Sequence, residues 1–241
     1  IDAYQIDVDD RIALSGQVTA TGDPNSPIDQ TLENVGVGSA GFFLNAIDTR
    51  TKGIDIVYSY SNIELGRGFL SGSIAANFNE TEVQGTNFPA FIENNDLGDA
   101  IFSREDISRV ESWRPQEKVV ATASYEIDKI TANVSLMYYG SVTYRHPVAP
   151  INGVNNDATY GGKTLTDLSV NYAFTDKVNF TLGVNNLFDV FPDTFAEAYA
   201  SSGGTPQDRN LDFVGRFKYP WQTTQFGIDG TRVFSQLNIS F

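Results

Sequence analysis

Hydrophobic and polar side chains alternate with a period of two along most of this chain, and helical spacing is nearly absent. The clearest example is residues 165–175, which are followed after a polar pair at 176–177 by a second alternating run, 178–185. A two-residue polar connection between two alternating runs is typical of a β-hairpin.

The same alternation recurs often enough to predict an all-β chain. High contents of Phe, Tyr and Gly also favour β structure. We predict eight strands, at residues 4–8, 54–60, 70–78, 119–126, 130–138, 165–175, 178–185 and 233–241.

The lengths of the connections alternate strictly between long and short. Three are short, at 62–66, 128–129 and 176–177, and all nine prolines fall in the four long ones, 19–41, 80–115, 142–163 and 189–230. Loops beyond about 15 residues are uncommon in compact domains. Strict alternation is typical of an outer-membrane barrel, which has short periplasmic turns and long extracellular loops.

The chemistry of the two faces favours a membrane barrel over a soluble sandwich, although both architectures alternate. The apolar set carries aromatic residues at strand ends, and the opposite set is mostly Ser, Thr, Asn and Ala, as in a watery or plugged interior. Asp7, Asp9 and Arg11 are predicted to face that interior. A soluble all-β carbohydrate-binding domain is the alternative, and it requires a second sheet covering the apolar face.

Four charged residues depart from this pattern by sharing the outward parity of their strands. They are Asp10, Asp48, Arg50 and Lys52. Either a β-bulge shifts the parity, or these stretches stand above the bilayer in water.

Composition excludes several functional classes. The 241 residues carry a net charge of −14, which argues against a nucleic-acid partner because phosphate binding needs a positive surface. The absence of Cys and the presence of one His, His146, exclude thiolate and multi-His metal sites, so we expect neither a cofactor nor a resident metal. No apolar run approaches the ~18 residues of a membrane helix.

Most of the negative charge lies in the long connections, most densely in residues 80–115. Cation steering or divalent bridging to lipopolysaccharide is one interpretation, and a solvated loop is the other. In this stretch Ser103 precedes Arg104-Glu105-Asp106, which predicts a short capped helix.

Aromatic residues in the long connections are candidate ligand contacts. Trp113, Tyr144, Tyr199 and Trp221 could stack on sugars or siderophore rings, although loop aromatics often pack loops against each other. His146 is predicted to be a surface loop residue. No nucleophile, base and acid come together in the pattern, so no enzyme is predicted.

The last strand resembles the C-terminal signature by which the outer-membrane assembly machinery selects its substrates. Val233, Leu237, Ile239 and Phe241 share one parity, and Phe241 is the terminal residue of the sequence.

A second set of motifs resembles the C-terminal box of TonB-dependent outer-membrane receptors. The box is formed by Asn185, Asn186, Leu187, Phe188 and Asp189 with Pro192. The family also typically shows a Tyr-Pro pair in the last loop, present as Tyr219-Pro220, and a Gly-Arg-like start to the final strand, which here is Gly230-Thr231-Arg232 with one residue inserted. Further matches are Asp2-Ala3-Tyr4 with Asp10-Arg11-Ile12, Phe42-Phe43-Leu44-Asn45-Ala46 with Thr49-Arg50-Thr51-Lys52-Gly53, and Phe102-Ser103-Arg104-Glu105-Asp106.

The resemblance implies a barrel of about 22 strands around an N-terminal plug. Residues 1–241 would then be the C-terminal portion of the barrel, and the plug and the N-terminal strands would lie outside this sequence. The implied function is active import of a scarce nutrient, such as a ferric siderophore, cobalamin or an oligosaccharide. Implied partners are outer-membrane lipid and lipopolysaccharide, the plug, a small-molecule ligand and the TonB complex, contacted through the plug region. A passive porin-like channel is the alternative.

Overall fold

One antiparallel sheet of eight strands dominates the structure, a computed structural model that describes residues 1–41, 43–94, 97–147, 157–201, 218–219 and 225–241. Each strand pairs with its neighbours in chain order. The strands are β1 (Asp2–Leu14), β4 (Phe43–Leu65), β5 (Gly68–Thr86), β6 (Glu117–Ile127), β7 (Ile130–Tyr139), β10 (Lys163–Thr175), β11 (Val178–Asn185) and β12 (Arg232–Ile239).

The smaller elements all lie in the long connections, which we name L1 (15–42), L2 (87–116), L3 (140–162) and L4 (186–231). Two short antiparallel pairs occur there, β2 (Val18–Thr19) with β3 (Ser39–Ala40) and β8 (Val142–Tyr144) with β9 (Ala158–Tyr160). The helices are α1 (Pro27–Asn34), α2 (Ala90–Asn94), α3 (Gly98–Ile101), α4 (Arg104–Glu111) and α5 (Phe195–Ser201).

The predicted eight strands and their sequential order are confirmed. The first short turn lies at 66–67 and not across 62–66, because β4 continues to Leu65. Asn62 has a φ of 54° and the register shifts between Tyr60 and Ile63, so a bulge interrupts the alternation that marked the strand.

The register separates two faces of the sheet, since directly opposed residues project to the same side. The apolar face carries rows such as Ile74, Ala121, Leu136 and Thr166, or Tyr172 with Phe180 and Leu237. The polar face carries rows such as Ser71, Ser124, Asn133, Ser169, Gly183 and Phe234.

The apolar face is uncovered, which overturns the soluble-domain alternative. Leu182 is 53% exposed and Val233 is 73% exposed, and no second sheet packs on this face in the part of the chain described. The buried hydrophobic clusters lie instead among the long connections at one end of the sheet. Within the same residues, no helix has the length and apolar character to cross a membrane.

The charged residues of outward parity are explained in two ways. Asp10 has a φ of 52° and the β1–β4 register shifts between Val8 and Arg11, so a bulge lies there, and a second shift follows Asp48 in the β4–β5 pairing. No bulge separates Arg50 and Lys52 from Ile54, because the alternation is unbroken from Thr49 to Tyr60, so all three lie on the same side of the sheet.

The prediction for Asp7 is wrong for the same reason. Asp7 is opposite Arg50, and the two side chains form an ion pair of 2.5 Å, so Asp7 lies on the apolar side of the sheet. Tyr4, opposite Gly53, lies on the polar face. Arg11, in contrast, is on the predicted side, because its guanidinium donates to the Thr49 hydroxyl.

Candidate functional site

The polar face offers a shallow cavity between small side chains. It has a volume of about 320 Å³ and is lined on β5, β6, β7 and β10 mainly by Ser71, Thr122, Ser124, Asn133, Ser135 and Ser169. Neighbouring strands are linked here through side chains, as in the 2.9 Å contact between the Ser73 and Thr122 hydroxyls. The hydroxyl and amide groups of this face can also hydrogen-bond to another polypeptide or to water.

The described parts of the long connections fold onto the end of the sheet opposite the short turns, and we name this assembly the loop layer. In L2, the side chain of Ser103 caps α4 in a capping box with Asp106, as the sequence predicted. Ile107 and Val110 of α4 pack around the buried pair Ile47 and Phe102. L2 therefore lies over the end of the polar face.

Ion pairs fasten L3 to L2. The Arg104 guanidinium donates to both carboxylate oxygens of Asp157, at 2.7 and 2.9 Å, and also to the carbonyl of His146. Arg145 pairs with Glu111, and the other carboxylate oxygen of Glu111 accepts a hydrogen bond from the backbone N–H of Val83 on β5. Glu111 is thus structural, as is Asp106 of the capping box, although both belong to the acidic stretch 80–115 that the sequence left open as a solvated loop.

Three of the four predicted ligand aromatics meet in one buried cluster between L2, L3 and L4. Tyr144 is 5% exposed and Tyr199 is 1% exposed, packed with Tyr160 and Ala198, and Trp113 lies against them. Burial raises the pKa of the Tyr144 hydroxyl. In this arrangement the rings hold the loops together, and their contact with a ligand remains a prediction that requires the loops to separate.

Two predicted positions in the loops have different outcomes. His146 is partly buried, and its N–H donates to Asp157, so it belongs to the junction of L2 and L3. Trp221 lies outside the described residues, as do Phe42 and Pro220 of the motifs noted above.

Two carboxylates organise the backbone of L1 and L4. The N–H groups of Thr21 and Gly22 donate to Asp29, at 2.9 and 2.6 Å, and these bonds hold the pKa of Asp29 below its usual range. The Thr194 N–H and hydroxyl likewise lower the pKa of Glu197 at the start of α5. Both carboxylates stabilise local turns.

The C-terminal box forms a turn that brings the two ends of L4 together. Asn186 has a φ of 51° and Asp189 a φ of 52°, a region that Asn and Asp tolerate better than most residues. The Asn186 amide exchanges two hydrogen bonds with the backbone of Val190. Thr231 donates its N–H to Asp189 at 3.0 Å and its hydroxyl to the Asn186 carbonyl at 2.7 Å.

The remaining residues of the box have different surroundings. Phe188 and Leu187 are exposed, and the Leu187 N–H donates to the Thr166 carbonyl. Pro192 is buried. Their roles as a family box stay predictions.

The four residues of the predicted assembly signal lie on β12, the edge strand of the sheet, or directly after it. Val233, Leu237 and Ile239 are opposite Val184, Phe180 and Val178, and so share the apolar face. Phe241 follows β12 and is fully exposed. Recognition of this set by an assembly machinery stays a prediction.

Sequence patterns missed the residues that join distant segments. Asp167 accepts from the Asn185 side chain and the Asn186 N–H, and Gln225 donates to the carbonyls of Gly140 and Gly161. Asp193 accepts from the Gly161 N–H and from Lys163. These partners are tens of residues apart, so no local spacing could have indicated them.

Comparison with known proteins identifies the family. The model of the TonB dependent receptor-like β-barrel matches residues 1–187. The chain is 26% identical over 148 residues to the ferripyoverdine receptor of Pseudomonas aeruginosa PAO1, a match that covers 58% of this chain and 17% of the receptor.

Solved structures of three receptors share the fold. The pyoverdine receptor FpvA of P. aeruginosa PAO1 aligns over 99% of this chain and 26% of its own, at 16% identity and a TM-score of 0.53. The copper transporter OprC aligns over 99% and 28%, at 16% identity and 0.52. The ferric-catecholate receptor Fiu of E. coli K12 aligns over 98% and 24%, at 14% identity and 0.50.

This chain thus spans between 17% and 28% of the length of these relatives. The uncovered apolar face, the polar face and the one-sided loop layer fit a segment of barrel wall. The chain belongs to the TonB-dependent receptor family and forms part of the β-barrel by which such receptors reside in the outer membrane of Gram-negative bacteria.

Proposed function

We propose that the full-length protein imports a ferric siderophore across the outer membrane, driven by the TonB complex. The observation that carries this proposal is the family match together with a curated relative named as a ferripyoverdine receptor. Cobalamin and oligosaccharides are the other substrate classes that the family resemblance suggested.

In this proposal the wall segment has three surfaces with separate tasks. The apolar face contacts lipid, and the polar face contacts the plug domain through hydroxyl and amide side chains such as Ser124 and Asn133. The loop layer receives the ligand from outside the cell. TonB acts on the plug, which is contributed by a part of the protein outside these residues.

The charged residues beyond the apolar rows suit the headgroup region of the outer leaflet. Arg50 and Lys52 are opposite Glu82 and Glu80, and the Arg50 side chain also pairs with Asp7. Basic side chains can bind lipopolysaccharide phosphates directly, and the carboxylates can do so through divalent cations. We therefore place the outer membrane surface at this level of the sheet.

The substrate proposal is tested by uptake of radioactive iron in a strain that expresses the full-length protein as its sole siderophore receptor. Ferric pyoverdine and a ferric catecholate are the probes, with cobalamin and a maltodextrin as the other arms. We expect saturable iron uptake that stops when tonB is deleted. Uptake of cobalamin or maltodextrin alone would overturn the siderophore proposal.

The passive-channel alternative predicts a different dependence on energy. A porin-like channel would admit small solutes at a rate proportional to concentration, with or without TonB. Uptake that is unchanged after deletion of tonB and after collapse of the proton gradient would favour the channel over the receptor.

A further inference from the structure

The pairing of β11 with β12 poses a problem of register. The short turns at 128–129 and 176–177 limit the register of their hairpins, whereas β11 and β12 are joined by the whole of L4. A slip of one residue would move every side chain of β12 to the wrong face, but a slip of two would keep each on its own face. The polarity pattern alone therefore does not exclude the slipped pairing.

Hydrogen bonds at the base of L4 resist such a slip. Asp189 and the Asn186 carbonyl accept from Thr231, as described above, and Thr231 directly precedes β12. Gly230 has a φ of 68°, and a Cβ there would meet the Asp189 carboxylate at 2.8 Å. We name Asn186, Asp189, Gly230 and Thr231 the clasp.

The clasp is itself anchored to the sheet. The Asn186 N–H donates to Asp167 of β10 at 2.8 Å, and the Asn185 side chain donates to the other oxygen of the same carboxylate at 3.0 Å. The Leu187 N–H extends the β10–β11 ladder by bonding to the Thr166 carbonyl at 2.7 Å. A shift of β12 along β11 would thus break the bonds of Thr231 without moving their acceptors.

The contact between Phe234 of β12 and Gly183 of β11 also opposes the slip. The ring of Phe234 lies over Gly183, where an added Cβ would overlap the ring. A two-residue slip would place Phe234 opposite Thr181 or Asn185, each of which has a side chain in the space that the ring needs.

We propose that the clasp fixes the register of β12 on β11 and holds the base of L4 closed. Register in turn decides the level at which Val233, Leu237 and Ile239 stand among the apolar rows. The clasp also separates L4 mechanically from the wall, so that the loop can rearrange without displacing the last strand. This inference concerns construction of the wall and does not depend on the substrate.

Cysteine pairs in the full-length receptor measure the register directly, since these 241 residues contain no Cys. Thr181 is opposite Gln236 on the polar face, so a Thr181→Cys, Gln236→Cys pair reports the native pairing. Thr181→Cys with Asn238→Cys, and Asn179→Cys with Gln236→Cys, report slips of two residues in the two directions.

The clasp is removed with Asp189→Gly and Thr231→Val, because Gly accepts the positive φ at position 189 without strain. Asp193→Gly with Thr194→Val is the matched control, which removes the same groups from L4 outside the clasp. Cross-linking is measured only on receptor inserted in isolated outer membranes.

Removal of the clasp is expected to raise the slipped fraction by about tenfold, the factor for loss of one hydrogen bond to a charged acceptor. The control should keep the native pairing. An unchanged cross-linking pattern after clasp removal would overturn the proposal.

Failure of the clasp variant to insert also decides the question. The conservative pair Asp189→Asn, Thr231→Ser retains the acceptor oxygen and the hydroxyl. If it restores insertion with native cross-linking, the clasp is required for assembly; if it fails as well, hydrogen bonding at these positions is not what matters and the proposal is wrong.

Discussion

Aromatic rings cover glycines of the adjacent strand at several points in the sheet. Tyr4 lies over Gly53 on the polar face, and Tyr60 lies over Gly72 on the apolar face. A glycine in a strand lacks a side chain to pack, and a neighbouring ring fills that space. At these positions only glycine leaves room for the ring of the residue opposite.

Gly53→Ala is therefore expected to destabilise the barrel by about 1–3 kcal/mol, the usual cost of overpacking. The new Cβ would overlap the Tyr4 ring, whose hydroxyl accepts a 3.5 Å bond from Asn77. Denaturant unfolding of the full-length protein in detergent measures the loss. Gly85→Ala is the control, because no atom lies within 4 Å of its added Cβ; equal losses at both positions would contradict the packing explanation.

Asp29 makes L1 sensitive to acid. Its pKa is lowered in the folded state by the Thr21 N–H first and by the Gly22 N–H, so its stabilising effect is present above the ordinary carboxyl pKa of about 3.9 and is lost as the pH falls. We expect the amides of Thr21 and Gly22 to lose protection from hydrogen exchange, after correction for intrinsic rates, below about pH 4.

The substitution Asp29→Asn should remove most of that protection at neutral pH and leave little further change on acidification. Glu33→Gln, on the same helix, is the control and should behave as the wild type. Protection of Thr21 and Gly22 that is independent of pH in the wild type would disprove the role of Asp29.

At the scale of elements, the described parts of the long connections pack together as one layer. L1 contacts L2 through Val18 and Ile101, L2 contacts L3 through Arg104 and Asp157, and L4 packs on L3 through α5 and β9. Aromatic burial and ion pairs act between elements that are far apart in sequence. We therefore expect a movement of one loop to displace its neighbours.

Arg104→Ala should loosen L3 while leaving the sheet intact. The pair with Asp157 is partly buried, at 36% and 16% side-chain exposure, so loss of its charge-assisted bonds should lower the local opening free energy of β8 by about 1–3 kcal/mol. Hydrogen exchange at Val142 and Tyr144 measures it.

The matched control for that experiment is Arg67→Ala at the opposite end of the sheet. The Arg67–Asp128 pair is 80% and 71% exposed, and an exposed pair is worth about 0.2–1 kcal/mol. If the two substitutions have equal effects on their own segments, burial does not account for the strength of the Arg104 pair.

At the scale of the whole molecule, we assign the apolar face of the sheet to lipid and the polar face to the barrel interior. Leu182 is central among the apolar residues of β11, and Gln236 lies on the polar face of β12. The two positions lie on adjacent strands, yet the surroundings that we assign to them differ completely.

Leu182→Arg should therefore destabilise the membrane-inserted protein by about 2–4 kcal/mol, the cost of arginine near the bilayer midplane. Gln236→Arg should change stability little, because that face is polar. Unfolding of both variants in lipid vesicles measures the difference. A neutral Leu182→Arg would contradict lipid contact at this 53% exposed position.

The sequence by itself determined the strands, their order and most of their facing. Period-two alternation is a local property, and short turns such as 128–129 and 176–177 force the strands on either side to pair, so 165–175 and 178–185 could be placed without coordinates. The capped helix at Ser103 was predictable for the same reason, since its capping box spans four residues.

Only the tertiary structure decided the side of the sheet on which Asp7 lies, the burial of Tyr144 and Tyr199, and the contact of the box with Thr231. Asp7 takes its side from its pairing with Arg50 of β4, which the alternation within β1 does not show, and the loop contacts join residues tens of positions apart. Side-chain alternation indicates which face of a strand is polar. Strand register and loop packing depend on partner residues elsewhere in the chain, which the local sequence does not specify.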